Sequence, residues 1–237
     1  MKKGFILKRL IFAGPLALGL FFAAAPLATH AQTASNPQFL ITWKAADSYV
    51  PPSYVGKALP SYGSKITASL ELVTQGKILN IQSQTIYWYL DDNLIGGGEG
   101  IQSITFPPVG TPPDSLVLKV ELPDYAGGYL SHTINIPFVT PRAVIYAPFP
   151  SSTFSTNPVM VDVLPYFFNV LSPANLSYAW AVNGQTGGGA ENPTEAQITL
   201  PSGTPAGTSI AVSVTVENPL GSTVAAANEN LIYQNQL

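Results

Sequence analysis

Cysteine is absent from this chain of 237 residues. Without thiols the chain cannot form a disulfide framework, a thiolate metal site or a cysteine nucleophile, and it cannot carry a lipid on an N-terminal cysteine. Whatever fold it adopts must be held by hydrophobic packing and hydrogen bonds.

Charged residues are also scarce, at 10% of the chain, and residues 143–237 contain no Lys, Arg or His. Proteins that bind nucleic acid need basic side chains to neutralise phosphates. We therefore expect no nucleic-acid partner.

Helical periodicity is missing after the first 31 residues. The chain has 20 Gly and 22 Pro, together with many β-branched and aromatic residues. This composition argues against long helices and coiled coils and favours short strands separated by turns.

The first 31 residues have the layout of an export signal. Four basic residues within the first nine precede an apolar run over 10–25, and Thr29-His30-Ala31 places small residues at a cleavage site. The run is shorter than the roughly 20 residues of a membrane-spanning helix. We predict that residues 1–31 are a signal peptide, with retention as an anchor as the alternative.

Removal of this segment makes the chain more acidic than its full-length net charge of −3. Four of its 10 basic residues and none of its 13 acidic residues lie there, which leaves 6 against 13 and a net charge of −7. We expect a secreted, periplasmic or cell-surface protein that meets a membrane only transiently, through its signal peptide.

The remaining chain contains a repeat. Ile86-Tyr87-Trp88-Tyr89-Leu90 is matched by Tyr178-Ala179-Trp180-Ala181-Val182, and a glycine run, an Ile-Thr-hydrophobic-Pro segment and an alternating strand follow in both copies. The offset is 92 residues at the Trp and 94 at the Pro. Four features in one order indicate two copies of one structural unit.

Alternation of apolar and polar residues predicts strands in both copies. The candidate strands are 39–44, 66–73, 85–90, 101–106, 115–122 and 129–139 in the first copy, and 143–147, 158–164, 176–182, 195–200, 208–217 and 222–232 in the second. So many short strands per roughly 100 residues are typical of a β-sandwich. The predicted fold class is all-β, with one sandwich domain at 32–141 and another at 142–237.

The alternation also predicts which side chains face inward. Trp88 should fill the centre of the first sandwich against Leu118 and Val120, and Trp180 should fill the second against Val212 and Val214.

The Tyr/Ile-x-Trp-x-x-Asp/Asn pattern, the glycine-rich segment and the late alternating strand resemble bacterial Ig-like or PKD-like domains. Such modules recur in exported and cell-surface proteins. The resemblance implies two tandem immunoglobulin-like sandwiches, and it implies no catalysis.

Residues that could support catalysis are few. His132 is the one histidine after residue 31, and no G-x-S-x-G or S-x-x-K motif accompanies it. One His without Cys cannot hold zinc. The glycine runs 96–98 and 187–189 are interpreted as turns, because no Lys-Ser/Thr follows them. We expect no enzymatic activity and no cofactor.

Calcium needs only oxygen ligands, which this chain does contain. Asp91, Asp92, Asn93 and Glu99 lie close together in sequence and form a weak candidate site. Ordinary turn chemistry explains the same residues.

The outward positions beside the two tryptophans differ. They are Tyr87 and Tyr89 in the first copy and alanines in the second, and the neighbouring strand of the first copy presents Lys119. A Pro/Tyr-rich segment adds Tyr49, Tyr54 and Tyr62. Exposed tyrosines are enriched at interfaces, so these six residues are the predicted binding surface. The alternative is that the tyrosines pack under their loop or against the other domain.

We therefore expect an exported, non-enzymatic module for binding, adhesion or structure at the cell envelope or surface, with a protein or glycan partner. One alternative is a carbohydrate-binding module that uses the exposed tyrosines. Another is a polymerising or pilus-like structural subunit.

Mass spectrometry of the exported protein tests the signal peptide. We expect the mature chain to begin at Gln32, because Ala31 completes the small-residue cleavage motif. A mature protein that retains residues 1–31 would contradict cleavage and favour the anchor.

Overall fold

The computed structural model describes residues 36–110, 115–221 and 223–234. The predicted signal peptide, 1–31, lies outside the described residues. Within them, no helix has the length and apolar character needed to cross a bilayer.

The first half of the described chain forms two antiparallel sheets. Its strands are β1 (Gln38–Ala45), β2 (Ile66–Thr74), β3 (Lys77–Ile78), β4 (Thr85–Leu90), β5 (Asn93–Glu99), β6 (Ser103–Phe106), β7 (Ser115–Tyr125) and β8 (Gly128–Pro137). One sheet has the order β1-β2-β3, with β6 also paired to β2, and the other has the order β5-β4-β7-β8.

The second half repeats this arrangement. Its strands are β9 (Arg142–Tyr146), β10 (Thr153–Phe154), β11 (Val159–Tyr166), β12 (Ser177–Val182), β13 (Gln185–Thr186), β14 (Glu195–Ile198), β15 (Ser209–Asn218) and β16 (Thr223–Tyr233). The sheets have the orders β14-β11-β9 and β10-β16-β15-β12-β13, and β10 runs parallel to β16. Each half is thus an immunoglobulin-like sandwich, which confirms the predicted all-β fold class.

Each sandwich has its own hydrophobic core around a tryptophan. Trp88 is fully buried and lies opposite Val120, and its indole N–H donates to the carbonyl of Ile101 at 2.8 Å. Trp180 lies opposite Val214 and donates to the carbonyl of Pro193 at 3.1 Å. The predicted packing of both indoles is confirmed, and each N–H finds the acceptor that a buried donor requires.

The interpretation of the glycine runs as turns is wrong. The tight turn of the first copy is Asp91-Asp92, with φ of 47° and 63°, and Gly96, Gly97 and Gly98 lie within β5 opposite β4. Positive φ at both central residues is the geometry that hairpins prefer. A Cβ at Gly97 would lie 2.6 Å from Cδ1 of Tyr87, so glycine is needed to accommodate that ring.

The second glycine run, 187–189, is not a tight turn either. The tight turn of the second copy is Asn183-Gly184, and Gly189 forms an isolated bridge with Ala196. Glycine runs and turns share a composition, and only strand pairing separates them.

A β-bridge joins the Pro/Tyr-rich segment to the second sandwich. The N–H of Tyr49 donates to the carbonyl of Phe168 at 2.8 Å, and the N–H of Phe167 donates to the carbonyl of Tyr49 at 2.7 Å. The ring of Tyr54 meets those of Tyr166 and Phe167 edge-on, at centroid distances of 5.9 and 5.7 Å. This segment therefore attaches one sandwich to the other.

Truncation of the central tryptophans should be severely destabilising. We expect Trp88→Ala or Trp180→Ala to lower the free energy of unfolding by roughly 3–5 kcal/mol, because each leaves a cavity and an unused carbonyl acceptor. Urea unfolding followed by circular dichroism measures this. Trp43→Ala, on half-buried Trp43, is the control and should cost less. Equal costs for the buried and half-buried positions would contradict the packing described.

Candidate functional site

Three tyrosines and an ion pair occupy the outer face of the sheet β5-β4-β7-β8. Tyr87 and Tyr89 point outward from β4 because Trp88 points inward. Glu121 lies opposite Tyr87 and Lys119 lies opposite Tyr89 on β7, and Tyr129 follows on β8. We call Tyr87, Tyr89, Lys119, Glu121 and Tyr129 the tyrosine face.

Lys119 connects the polar groups of the tyrosine face. Its Nζ lies 4.7 Å from the centroid of the Tyr89 ring, 3.3 Å from Oε1 of Glu121 and 3.4 Å from Oδ1 of Asp92. The Lys119 and Glu121 side chains are 29% and 16% exposed, whereas that of Asp92 is 93% exposed. The contact with Glu121 is therefore the better shielded ion pair, and Asp92 adds little.

Glu121 and the hydroxyls of Tyr89 and Tyr129 shift one another's pKa. A hydrogen bond from Tyr129, followed by contacts with Lys119 and Tyr89, holds the pKa of Glu121 below its usual range. The hydrogen bond with Glu121 raises the pKa of Lys119 and that of Tyr129. Burial and then Glu121 raise the pKa of Tyr89. Near neutral pH the carboxylate and ammonium are thus charged and both phenols keep their protons.

This network holds aromatic rings, donors and acceptors on a rigid sheet. Tyrosine offers a large contact area with few rotatable bonds, so little conformational entropy is lost when a ligand covers it. The exposed hydroxyls of Ser131 and Thr133 lie on β8 opposite Glu121 and Lys119. The arrangement suits the binding of an extended ligand by stacking and hydrogen bonds.

The equivalent face of the second sandwich has no such network. Ala179 and Ala181 replace the two tyrosines of β4, and they lie opposite Thr215 and Ser213 on β15. The two sandwiches therefore share a core pattern and differ in what they present outward.

The other predicted tyrosines are not part of the tyrosine face. Tyr49 packs against the core of the second sandwich, where burial raises its pKa, and Tyr54 contacts aromatic rings of the same sandwich. These two residues follow the alternative of packing against the other domain. Tyr62 is 59% exposed.

Sequence reasoning missed Tyr129. Its signal was available, because Tyr129, Ser131 and Thr133 alternate along a strand that was itself predicted. The partner that makes Tyr129 relevant, Glu121, lies on a different strand, and the two meet only when β7 and β8 pair.

Only three of the four residues of the weak calcium candidate lie together, because Asp91, Asp92 and Asn93 are at the β4–β5 turn and Glu99 is not. Asp91 Oδ1 accepts from the backbone N–H of Val117 at 3.0 Å, and Asn93 Nδ2 donates to the carbonyl of Asp91 at 3.0 Å. Glu99 lies opposite Thr85, at the far end of the β4–β5 hairpin from the turn. Within residues 36–110, 115–221 and 223–234 no three acidic, His or Cys side chains form a metal-binding group.

His132 lies on β8, where its ring stacks on Phe39 at a centroid distance of 5.3 Å. Val120 is its neighbour on β7. His132 thus takes part in the packing between β8 and β1.

No family model matches the sequence, and no curated protein matches it. Similar solved structures include fibronectin(III)-like modules of Clostridium thermocellum CbhA, at 12% identity over 83% of this chain and 94% of that chain, with a TM-score of 0.30. Three N-terminal domains of the outer capsid protein Hoc of bacteriophage RB49 are similar at 10% identity, over 85% and 71%, with a TM-score of 0.31.

A bacterial ice-binding adhesin of 1.5 MDa is similar at 11% identity, over 85% of this chain and 66% of that chain, with a TM-score of 0.32. The sandwich architecture is established by the strand pairing above, and these likenesses assign no ligand or activity to the chain.

The lowered pKa of Glu121 predicts a pH dependence of stability. A carboxyl whose pKa is lower in the folded than in the unfolded state stabilises the fold above its unfolded pKa of about 4.3, and the contribution disappears as pH falls through the folded pKa. As pH falls from about 7 to about 2, wild type should therefore lose more of its free energy of unfolding than Glu121→Gln does. Tyr129→Phe, which removes the hydroxyl donor and keeps the ring, should weaken this dependence. Urea unfolding at each pH measures it, and identical pH profiles for wild type and Glu121→Gln would contradict the network.

Proposed function

We propose that the chain is an exported, non-enzymatic binding protein that attaches to a protein or glycan of the cell envelope or surface through its tyrosine face. The observation that carries the proposal is the contrast between two outward faces built on one core pattern, one with a tyrosine–glutamate–lysine network and the other with alanines. The second sandwich has alanines in place of these tyrosines, so the presence of the network on one sandwich favours a role beyond the shared core pattern.

The composition supports an extracellular setting. The predicted signal peptide and the predicted net charge of −7 after its removal agree with an exported acidic protein. In this proposal the second sandwich acts mainly as a spacer, held to the first through the bridge between Tyr49 and Phe168.

A carbohydrate ligand is the second candidate, favoured by the side chains around Tyr129. Ser131, Thr133 and Asn135 form an exposed row of hydroxyl and amide groups along β8. Tyrosine rings can stack on the apolar C–H face of a sugar, and neutral hydroxyl and amide groups can form hydrogen bonds with its hydroxyls. A polymerising structural subunit is the remaining alternative, and it would not need the tyrosines.

Replacement of the outward tyrosines tests the proposal. We expect Tyr87→Ser/Tyr89→Ser to weaken binding to isolated cell envelopes about 10-fold or more, because two aromatic contacts of about 1 kcal/mol or more each are removed. Co-sedimentation of the purified chain with envelopes measures the effect. Tyr146→Ser, which removes a 50% exposed tyrosine from β9, is the matched control and should bind as wild type does.

The ligand class follows from treatment of the envelopes before the assay. Loss of binding after protease treatment indicates a protein partner, and retained binding together with co-sedimentation on insoluble glucan or chitin indicates a glycan. A double variant that keeps its melting temperature and binds as tightly as wild type would remove the tyrosine face from the proposal.

A further inference from the structure

The outer edge of β8 is open. β8 pairs with β7 along one side, and among the described strands none pairs with its other side. With 10 residues it is the longest edge strand of the described sheets, and it contains no Lys, Arg, Asp or Glu. An open edge presents unpaired N–H and C=O groups, and proteins commonly protect such edges with charges, bulges or a covering segment.

The second sandwich covers one end of the same edge, where the short strand β10 pairs with the last two residues of β16. There β10 runs beside β16, with Thr153 opposite Ile232 and Phe154 opposite Tyr233, and the side chain of Phe154 is buried. The N–H of Gln234 donates to the carbonyl of Phe154 at 2.8 Å. No described segment of the first half takes the corresponding place beside β8.

The other long edges of the first sandwich are protected. β1 carries Lys44. β5 carries Glu99 and three glycines, and its pairing with β4 has a bulge between Trp88 and Tyr89. β8 runs in regular register with β7 from Leu130 to Pro137. Among the long described edges of the first sandwich, β8 from Leu130 to Pro137 alone lacks a charged residue and a bulge, so its backbone groups can pair with another strand.

We propose that β8 pairs antiparallel with β8 of a second copy of this chain, about a twofold axis close to His132. β8 can pair with a second β8 because it has no Lys, Arg, Asp or Glu that would meet a like charge, and the axis places His132 opposite His132 of the second copy. Pairing centred on His132 places Leu130 opposite Ile134 of the second copy, Ser131 opposite Thr133 and Tyr129 opposite Asn135. Apolar side chains then meet on the inner face and polar ones on the outer face, as cross-strand pairing favours.

This pairing joins the two sheets β5-β4-β7-β8 into one sheet of eight strands. An antiparallel pair within one sheet is related by an axis perpendicular to it, so both tyrosine faces lie on the same side. A polymeric or surface-fixed ligand could then contact both, and avidity would raise the apparent affinity. Because the assembly closes on itself, it gives a dimer and not a fibre.

Cysteine scanning of the full exported chain tests the pairing directly, since the chain has no cysteine of its own. Directly opposed residues in an antiparallel pair lie about 4.5–5.5 Å apart at Cα, which a disulfide can span. We expect His132→Cys to form a disulfide-linked dimer under mild oxidation, with less product from Ser131→Cys and Thr133→Cys. Thr215→Cys, on the central strand β15, is the control and should stay monomeric on a non-reducing gel.

Sedimentation equilibrium without any ligand tests the same surface. Wild type should be a reversible dimer, and Ser131→Lys/Thr133→Lys should raise the dimer dissociation constant about 10-fold or more, because it places lysines opposite one another. Ala211→Lys/Thr215→Lys adds the same charge to β15 and should leave the constant unchanged. Hydrogen exchange on wild type provides a readout without substitution, as β8 amides should gain protection with protein concentration.

A monomer at every concentration, or no crosslink at any of the three β8 positions, would overturn the proposal. A dimer weakened equally by both lysine pairs would also overturn it. None of these measurements involves a ligand, so they decide the pairing independently of whether the tyrosine face binds.

Discussion

The burial of the Trp88 indole determines which side chains of β4 face the core of the first sandwich and which face outward. Its ring lies between the sheets and its N–H is bonded to the carbonyl of Ile101. A slip of one residue along β4 would move the indole to solvent and both tyrosines into the core. Tyr87 and Tyr89 therefore face outward because Trp88 faces inward, and Lys119 and Glu121 join them because β7 pairs with β4 in that register.

The second sandwich obeys the same constraint and presents a different surface. Trp180 is buried against Val214 with its N–H on the carbonyl of Pro193, yet the residues on either side of it are alanines. Packing restricts the inward positions of a strand, whereas outward positions can change with little effect on stability. One core pattern can thus carry either a tyrosine-rich outer face or one with alanine, serine and threonine at the equivalent positions.

The edges of the two sandwiches differ as much as their faces. In the second sandwich β10 covers the last two residues of the β16 edge, whereas no described strand pairs with the outer edge of β8. The Pro/Tyr-rich segment of the first sandwich pairs with the second sandwich. Aromatic residues consequently serve two purposes in this chain. Tyr49 and Tyr54 hold the sandwiches together, while Tyr87, Tyr89 and Tyr129 remain on an outer surface.

Alternation in the sequence was enough to predict most of the longer strands, their inward faces and the outward placement of Tyr87, Tyr89 and Lys119, because burial enforces it at every second residue of a strand. It did not predict β5, whose glycine-rich sequence lacks that alternation. The sequence could not show that Gly97 lies in a strand against Tyr87, or that Tyr129 lies beside Glu121. Nor could it show that Glu99 lies away from Asp91, or that Tyr49 bonds to Phe168. Those facts depend on which strands become neighbours and in what register, and strands that pair from distant parts of the chain leave no local periodicity in the sequence.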